Sequence, residues 1–451
     1  MVKVFVYTAV IAGVSASVNA QVATEVDRLF PVGGTDANAF EFGRACAIGD
    51  GYIAISSPDD DSMGSYTGAV YLYDAQTHAQ VGKLVASDAA QGAQFGEQLL
   101  IHDGKLFVGV PQEESVQSFG GAVYVFDLQT QNELMKIVPS DMTPDSKFGF
   151  SFGESLSASN GKLAVSAVGS NEFAGALYIF DIETGDELMK ISPADGVQND
   201  LFSRPVAMGD EYIAAGTRAD PDDASNTSSI YIYDMATGEE LRRVTPEEVN
   251  SFYYGNDFEI ADGILYVGDI FCGDNGESTG CVRIFDLSSG DEIGRLTDPE
   301  GASGDDLGRN ISISNGRLVT GARLDRPNGL SSGSVCIFDL QTQALLEKVV
   351  PASSEPFLTF GYSVAIQDDT LVVGAAGVSS TDFVGSAYVF DLSFACSPAD
   401  IDGSGNLNFF DVQGYIMLFI AGDLTADLNG DGVLNNFDVS SFIDFYTAGC
   451  P

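Results

Sequence analysis

Residues 123–127 read Val-Tyr-Val-Phe-Asp, and lightly varied copies of this segment recur along the chain. Seven copies end in an aspartate, at steps of 52 to 54 residues. These are Asp74, Asp127, Asp181, Asp234, Asp286, Asp339 and Asp391. Self-similarity at a fixed period indicates units that must stack on one another to bury their apolar faces. The alternation of apolar and polar residues predicts strands rather than helices.

Each repeat predicts four short strands. In the second copy they fall at 97–101, 106–110, 122–128 and 134–138, separated by turns rich in Gly, Asp and Asn. Repeating a four-stranded unit around an axis leaves few exposed sheet edges. We therefore predict an all-β fold, a seven-bladed β-propeller.

The two ends of the repeat region predict how the ring closes. After Asp391 the chain lacks the fourth strand that follows the other copies, such as Leu-Met-Lys-Ile-Val-Pro at 134–139. A similar segment, Val-Asp-Arg-Leu-Phe-Pro, lies near the amino terminus at 26–31. We predict that this segment completes the seventh blade. The alternative is a loose terminal tail.

Composition excludes some partners. The 451 residues include 65 acidic residues against 20 Lys plus Arg, for a formal charge of −45. Such a charge repels phosphate backbones and anionic lipids, so nucleic-acid binding is excluded.

The chain divides into three predicted segments: 1–20, 21–394 and 395–451. Residues 1–20 resemble a secretory signal, because Lys3 precedes an apolar run and small residues lead to a cleavage site before Gln21. A retained anchor is the alternative, but the run is short for a bilayer. We expect a secreted protein, extracellular or associated with the cell surface, that does not span the membrane.

Six cysteines suit an oxidising compartment. Two disulfides are predicted, Cys272–Cys281 and Cys396–Cys450. Cys46 and Cys336 fall on strands of blades that are not adjacent, so both are predicted to be buried thiols.

Residues 395–451 break the repeat and contain two calcium-type loops that begin at Asp400 and Asp427. Oxygen donors at positions 1, 3, 5, 7, 9 and 12, with Gly at position 6, suit a hard cation such as Ca²⁺. The predicted ligands are Asp400, Asp402, Ser404, Asn406, Asn408 and Asp411 for one ion, and Asp427, Asn429, Asp431, Val433, Asn435 and Asp438 for a second. Asn406 and Val433 would contribute main-chain carbonyls. The alternative is polar turns that bind nothing.

Apolar residues at helical spacing follow each loop, at 412–420 and 439–446, and their predicted packed faces include Ile416 and Ile443. They predict two short helices that pack face to face as a pseudo-symmetric pair. Loops and helices together resemble the type I dockerin module. That resemblance implies two Ca²⁺ ions and a cohesin-like or cell-surface partner. Loop positions 10 and 11, used in that family for partner recognition, are here Phe409, Phe410, Asn436 and Phe437. The alternative is that these aromatics are core residues of the module.

The seven repeats resemble FG-GAP repeats of the integrin α-subunit type. Phe-Gly pairs occur at 42–43, 95–96, 152–153 and 360–361, and Val-Gly-Val-Pro at 108–111 is a degenerate second element. The turns between the first two strands hold too few oxygens for the calcium site that many such blades carry. Acidic runs at 59–61 and 220–223 could hold a cation, but such runs are more often solvated.

These features favour a secreted, noncatalytic binding or adhesion protein, with the propeller as a platform for a protein or glycan ligand. No catalytic constellation is recognisable among the 65 acids and two histidines. Two alternatives stay open: a dockerin-borne polysaccharide-degrading enzyme, and a purely structural envelope or matrix component.

Overall fold

A computed structural model describes most of the repeat region and most of the two carboxy-terminal helices. The described residues are 23–31, 39–113, 120–142, 151–196, 200–217, 228–244, 254–272, 278–351, 357–377, 385–393, 399, 401, 407, 409–428 and 433–448. The predicted signal segment therefore lies outside the described residues.

Seven four-stranded antiparallel sheets form the blades of a β-propeller, as the sequence predicts. From first to fourth strand, blade 1 comprises Cys46–Gly49, Tyr52–Ser57, Ala69–Asp74 and Gln80–Leu84; blade 2 Gln98–His102, Lys105–Val110, Ala122–Asp127 and Glu133–Ile137; blade 3 Phe152–Ser159, Lys162–Ala167, Ala176–Asp181 and Glu187–Ile191; blade 4 Val206–Met208, Tyr212–Gly216, Ile230–Asp234 and Glu240–Val244. Blade 5 comprises Tyr254–Ala261, Ile264–Asp269, Cys281–Asp286 and Glu292–Leu296; blade 6 Ile311–Ser314, Arg317–Ala322, Ser334–Asp339 and Leu345–Val349; blade 7 Ser363–Gln367, Thr370–Ala375, Ser386–Asp391 and, from the amino-terminal region, Thr24–Leu29. Ala39–Phe40 and Asp59–Asp60 form a small extra sheet, and α1 is a single turn at Ser170–Phe173.

The amino-terminal strand closes the ring, which confirms the prediction from residues 26–31. Thr24–Leu29 pairs antiparallel with Ser386–Asp391, with Leu29 opposite Ala387 and an irregularity between Glu25 and Asp27. The first strands of successive blades contact one another in a complete circuit, from blade 1 through blade 7 and back. First and last blades are thus joined by main-chain hydrogen bonds, and no blade is left without a neighbour.

The hydrophobic core lies between neighbouring blades. At the closure, Leu29 and Val389 of blade 7 share one apolar cluster with Ile53 and Tyr71 of blade 1. Between blades 1 and 2, Leu72 packs in the same cluster as Tyr124. Each sheet therefore buries both faces, which explains why the second and third strands consist largely of buried apolar residues.

The Phe of each Phe-Gly pair anchors its blade to the preceding one. Phe95 is buried, forms a bridge with Gly68 of blade 1, and meets Tyr124 and Phe126 of its own blade edge to face, at centroid distances of 5.6 and 5.8 Å. Such pairs contribute about 0.5–1.5 kcal/mol beyond their area of burial. The same edge-on packing recurs at Phe42, Phe152, Phe202 and Phe360.

The two glycines of the repeat motif meet across blade boundaries. A Cβ atom on Gly109 would lie 2.2 Å from the carbonyl oxygen of Gly153. At the closure, a Cβ on Gly374 would lie 2.1 Å from the carbonyl oxygen of Gly43. Any larger residue would push the two backbone segments apart, so the glycines are required because neighbouring blades approach each other closely here.

Many basic side chains pack over tyrosine rings of the blades and form ion pairs with aspartates. In blade 2, the Lys136 ammonium lies 5.0 Å from the Tyr124 ring centroid and 2.8 Å from Asp88, while the Tyr124 hydroxyl donates to Asp88. Equivalent sets of one cation, one tyrosine and one aspartate are Lys83, Tyr71 and Asp60; Lys190, Tyr178 and Asp141; and Arg243, Tyr231 and Asp195. Asp60 is fully buried in its set, so the expectation of a solvated run at 59–61 is wrong for its middle residue. Residues 220–223 lie outside the described part.

Two helices follow the propeller: α2, Phe409–Ala421, and α3, Asn436–Ala448, joined in part by a 3₁₀ turn at Leu424–Ala426. Both contain the helical segments predicted from the apolar spacing. Within the described part of the chain, none of the helices has the length and apolar character needed to cross a membrane.

Candidate functional site

The carboxy-terminal helices pack as a pseudo-symmetric pair. Tyr415 of α2 and Phe442 of α3 are buried, and their rings stack at 4.2 Å with 12° between planes. Their separation of 27 residues equals that between the two predicted calcium loops. Ile416 and Ile443, which the spacing placed on the packed faces, are instead about half exposed. The packed stripe on each helix is therefore narrower than predicted.

The structure describes five of the twelve predicted calcium ligands. Asp411 accepts a hydrogen bond from the backbone N–H of Ile401 at 2.9 Å, and Asp438 accepts one from that of Asn435 at 2.7 Å. The carbonyl oxygen of Val433 accepts from the Asn435 amide at 2.8 Å. Asp427 is partly buried. The other seven lie outside the described residues: Asp400, Asp402, Ser404, Asn406, Asn408, Asn429 and Asp431.

The chemistry of this segment fits a bound cation. Asp411 and Asp438, at the last position of each loop, are both 0% exposed. Burial costs a carboxylate several kcal/mol of hydration, which hydrogen bonds and a nearby positive charge together offset. The chain has no Lys or Arg after Lys348, so residues 395–451 supply eight aspartates and no basic side chain. Divalent cations are the natural counterions for such a segment.

Large apolar side chains are exposed near the starts of both helices. Phe409, Phe410 and Phe437 are 71%, 66% and 72% exposed, and Asn436 is also exposed. The alternative that these aromatics are core residues is therefore wrong. Ile416, Met417 and Ile420 extend the exposed apolar surface along α2. Soluble proteins seldom expose several large apolar side chains together without a partner.

A second candidate site surrounds one end of the central channel. It is built from the residue that follows each Phe-Gly pair or its equivalent, one per blade, and we call this ring the channel mouth. From blade 1 to blade 7 its members are Arg44, Glu97, Glu154, Arg204, Asn256, Arg309 and Tyr362. The flanking framework repeats, whereas this position changes from blade to blade.

Neighbouring members of the channel mouth contact each other. Arg44 forms an ion pair with Glu97 at 3.2 Å, and Arg204 forms one with Glu154, also at 3.2 Å. The guanidinium groups of Arg44 and Arg309 lie 5.1 and 5.7 Å from the Tyr362 ring centroid. Blades 6, 7 and 1 thus contribute a sector rich in arginine to the ring.

Below the mouth, the channel holds a cavity of about 290 Å³ lined by the first strands. Two carboxylates of blade 5 lie in its wall. Asp257 accepts hydrogen bonds from the backbone N–H groups of Ile311 and Phe258, at 2.8 and 3.0 Å. Burial raises the pKa of Asp257 to about 7 and that of Glu259 to about 8, and the neighbouring Asp257 adds to the second shift.

The cysteines partly follow the prediction. Cys272 and Cys281 form a disulfide, as predicted. Cys336 is a buried free thiol, but Cys46 is only half-buried because it lines the channel, where the Ser363 hydroxyl donates to its sulfur at 3.1 Å. Burial raises the pKa of the Cys46 thiol to about 12 and also raises that of Cys336, so neither is a ready nucleophile. Cys396 and Cys450 lie outside the described residues.

The sequence reasoning did not identify the channel mouth or the channel carboxylates. A signal for the mouth was present, because a variable charged or polar residue follows the Phe-Gly pair or its equivalent in each blade. The sequence does not reveal that these seven positions, about 53 residues apart, meet in one ring in the folded protein.

Comparison with known proteins agrees with this architecture. Four segments match the family model described as FG-GAP repeat: residues 78–126, 186–233, 291–338 and 347–390. Each begins close to the fourth strand of one blade and ends in the third strand of the next. No curated protein matches the chain. The molecule is a seven-bladed β-propeller. Four of its blade-to-blade units match the FG-GAP repeat model, while residues 395–451 lie beyond the matched segments.

Proposed function

We propose that this is a secreted, noncatalytic binding protein. Its propeller serves as a ligand-binding platform, and its carboxy-terminal segment is a dockerin-like module that binds two Ca²⁺ ions and docks to a partner or surface. One observation carries the proposal: a repeated, closed framework holds a ring of side chains at the channel mouth whose identity varies among Arg, Glu, Asn and Tyr. A rigid scaffold with variable groups at one end suits recognition. The Cys272–Cys281 disulfide supports export.

Calcium binding is supported by the two fully buried aspartates in a segment without basic side chains. Equilibrium dialysis of the full chain against ⁴⁵Ca²⁺ should give two ions per molecule. Asp411→Asn and Asp438→Asn should each remove one ion, because each loses the charge at the last ligand position. Asp423→Asn is the matched control, since this aspartate only caps the turn before Thr425. Two bound ions in both loop variants would overturn the metal assignment.

Docking is supported by the exposed aromatics Phe410 and Phe437, which occupy equivalent positions in the first turns of the two helices. The full chain, immobilised in Ca²⁺, should capture a secreted or surface protein from the medium of the producing cell. The Phe410→Ala, Phe437→Ala double variant should capture at least tenfold less of that protein, while its circular dichroism spectrum should stay unchanged. The control is Val26→Ala, because Val26 is an exposed apolar residue of the propeller. Equal capture by the double variant would contradict docking through this surface.

The polysaccharide-degrading alternative has one observation in its favour. Asp257 and Glu259 bring two carboxylates with raised pKa values into the channel, and glycosidases use such pairs. If this alternative holds, the protein releases reducing ends from a polysaccharide and Glu259→Gln abolishes the release. Equal, background release by the wild type and this variant is the outcome expected of a noncatalytic protein.

A further inference from the structure

Three guanidinium groups surround one tyrosine ring in the sector of the channel mouth formed by blades 6, 7 and 1. Arg44, Arg309 and Arg323 lie 5.1, 5.7 and 5.3 Å from the centroid of Tyr362. Arg323 follows the second strand of blade 6, so it approaches the ring from the same blade as Arg309. In this chain, whose charge is −45, three arginines gathered at one point need an explanation.

The blade-internal tyrosines show what purely structural stacking looks like here. Tyr71, Tyr124 and Tyr178 each carry one lysine over the ring, and that lysine ends on an aspartate 2.5 to 2.9 Å away. In each set the single cation is neutralised by the partner carboxylate. Tyr362 departs from this arrangement, because it collects three cations.

The three carboxylates that pair with the cluster are shared unequally among its arginines. Arg44 pairs with Glu41 and Glu97 at 3.1 and 3.2 Å, and Arg323 pairs with Asp306 at 3.2 Å. Arg309 is half-buried, and among the described residues no carboxylate lies within ion-pair distance of it. Burial and the charge of Arg323 lower the pKa of the Arg309 guanidinium, while Tyr362 and Asp306 act in the opposite direction without cancelling the shift. Arg309 and Arg323 therefore share Asp306 in a partly buried place, and a bound anion would offset the remaining repulsion between the two guanidinium groups.

We propose that Arg309 and Arg323, placed against Tyr362, bind a carboxylate of a protein partner. Arg309 presents the planar fork of N–H donors that matches a carboxylate, and Arg323 adds a second positive charge. The ion pairs of Arg44 with Glu41 and Glu97 hold the adjoining wall of the mouth in place. The inference rests on the proposed role of the propeller as a binding platform and names the chemistry of that platform.

The charge around the site selects the kind of ligand. Glu41, Glu97 and Asp306 lie in ion pairs beside the cluster, and the Asp59 carboxylate is close enough to raise the pKa of Glu41, although burial is the larger cause. An extended polyanion, such as a polyuronate or a sulfated glycan, would be repelled along its length by this surface. A single carboxylate in an otherwise neutral or basic peptide segment meets the arginines without that penalty.

The test uses saturation-transfer NMR on the full-length protein, which detects weak ligands directly. The probes are N-acetyl-Gly-Asp-Gly-amide, its Asn counterpart and trigalacturonate. We expect saturation of the Asp peptide at least fivefold stronger than that of the Asn peptide or trigalacturonate. Arg309→Gln should reduce the Asp-peptide signal at least fivefold, whereas Arg326→Gln should leave it unchanged, because Arg326 is an exposed arginine outside the mouth.

Equal saturation of the Asp and Asn peptides by the wild-type protein would overturn the proposal, whatever the fold of any variant. An unchanged signal with Arg309→Gln, or stronger binding of trigalacturonate, would do the same. The outcome stays separable from the broader function. If Arg309→Gln and the wild type capture a protein equally tightly through the propeller, the carboxylate site is refuted but the proposed role of the propeller as a binding platform is not.

Discussion

Truncation of Leu29 tests whether the amino-terminal strand is part of the cooperative fold. Leu29 is 3% exposed and packs with Val389 of blade 7 and Ile53 of blade 1, at the junction of the last and first blades. Leu29→Ala removes three carbon atoms, worth ~2.4 kcal/mol at ~0.8 kcal/mol per methylene. The cavity left between two packed blades raises the expected loss to ~3–4 kcal/mol.

Two variants make the test specific. Leu84 occupies the same place in the fourth strand of blade 1 and is 4% exposed, so Leu84→Ala should cost a similar ~3 kcal/mol. Val26 lies in the closing strand but is 48% exposed, so Val26→Ala should change stability by no more than ~0.5 kcal/mol. The assay is equilibrium urea unfolding followed by far-ultraviolet circular dichroism.

The comparison of the two leucines decides the outcome. If Leu84→Ala loses the expected stability while Leu29→Ala stays within ~0.5 kcal/mol of wild type, the closing strand does not belong to the cooperative unit. The reasoning about ring closure would then be refuted.

Three further predictions concern the closure, the channel and the carboxy-terminal module. Gly374→Ala should lose ~3 kcal/mol, because its Cβ would meet a backbone carbonyl of blade 1, whereas Gly104→Ala, with φ of +71° but open space around it, should lose ~1 kcal/mol in the same urea assay. Asp257 and Glu259 have folded pKa values of about 7 and 8, above their unfolded values near 4, so the stabilisation they contribute is full below pH ~4 and is lost as pH rises through 7 to 8. Urea midpoints should therefore fall between pH 5 and 8.5, and the double change to Asn and Gln should flatten that fall; an equal slope in the variant would contradict the assignment. Excess chelator should unfold residues 395–451 and leave the propeller intact; helical circular dichroism that persists in chelator would argue against a metal-dependent module.

The fold was largely predictable because the same pattern of strands and turns occurs seven times in the sequence. Alternating apolar residues, turn glycines and the missing fourth strand after Asp391 together predicted the blades and the closing segment. The helices after the two loops were also predictable, because the 3.6-residue spacing of apolar residues depends only on local helix geometry. Ile416 and Ile443 departed from the prediction because apolar spacing does not reveal how wide a contact the partner helix offers.

The candidate sites divide in a similar way. The predicted calcium loops are local motifs, so their ligands could be proposed from spacing alone. The arginines around Tyr362 come from positions 44, 309, 323 and 362, and no local pattern links them. The same holds for Asp257, whose raised pKa depends on burial against a neighbouring blade.

By itself, the sequence determined the number of blades, the partner of the amino-terminal strand and the placing of oxygen donors in two loops, because each depends on residues close together or repeated at a constant step. Only the tertiary structure decided which charges meet at the channel mouth, which thiol borders the channel and which aromatics remain exposed on the helices. Those properties depend on distances between residues far apart in the chain, and these distances exist only once the ring has closed.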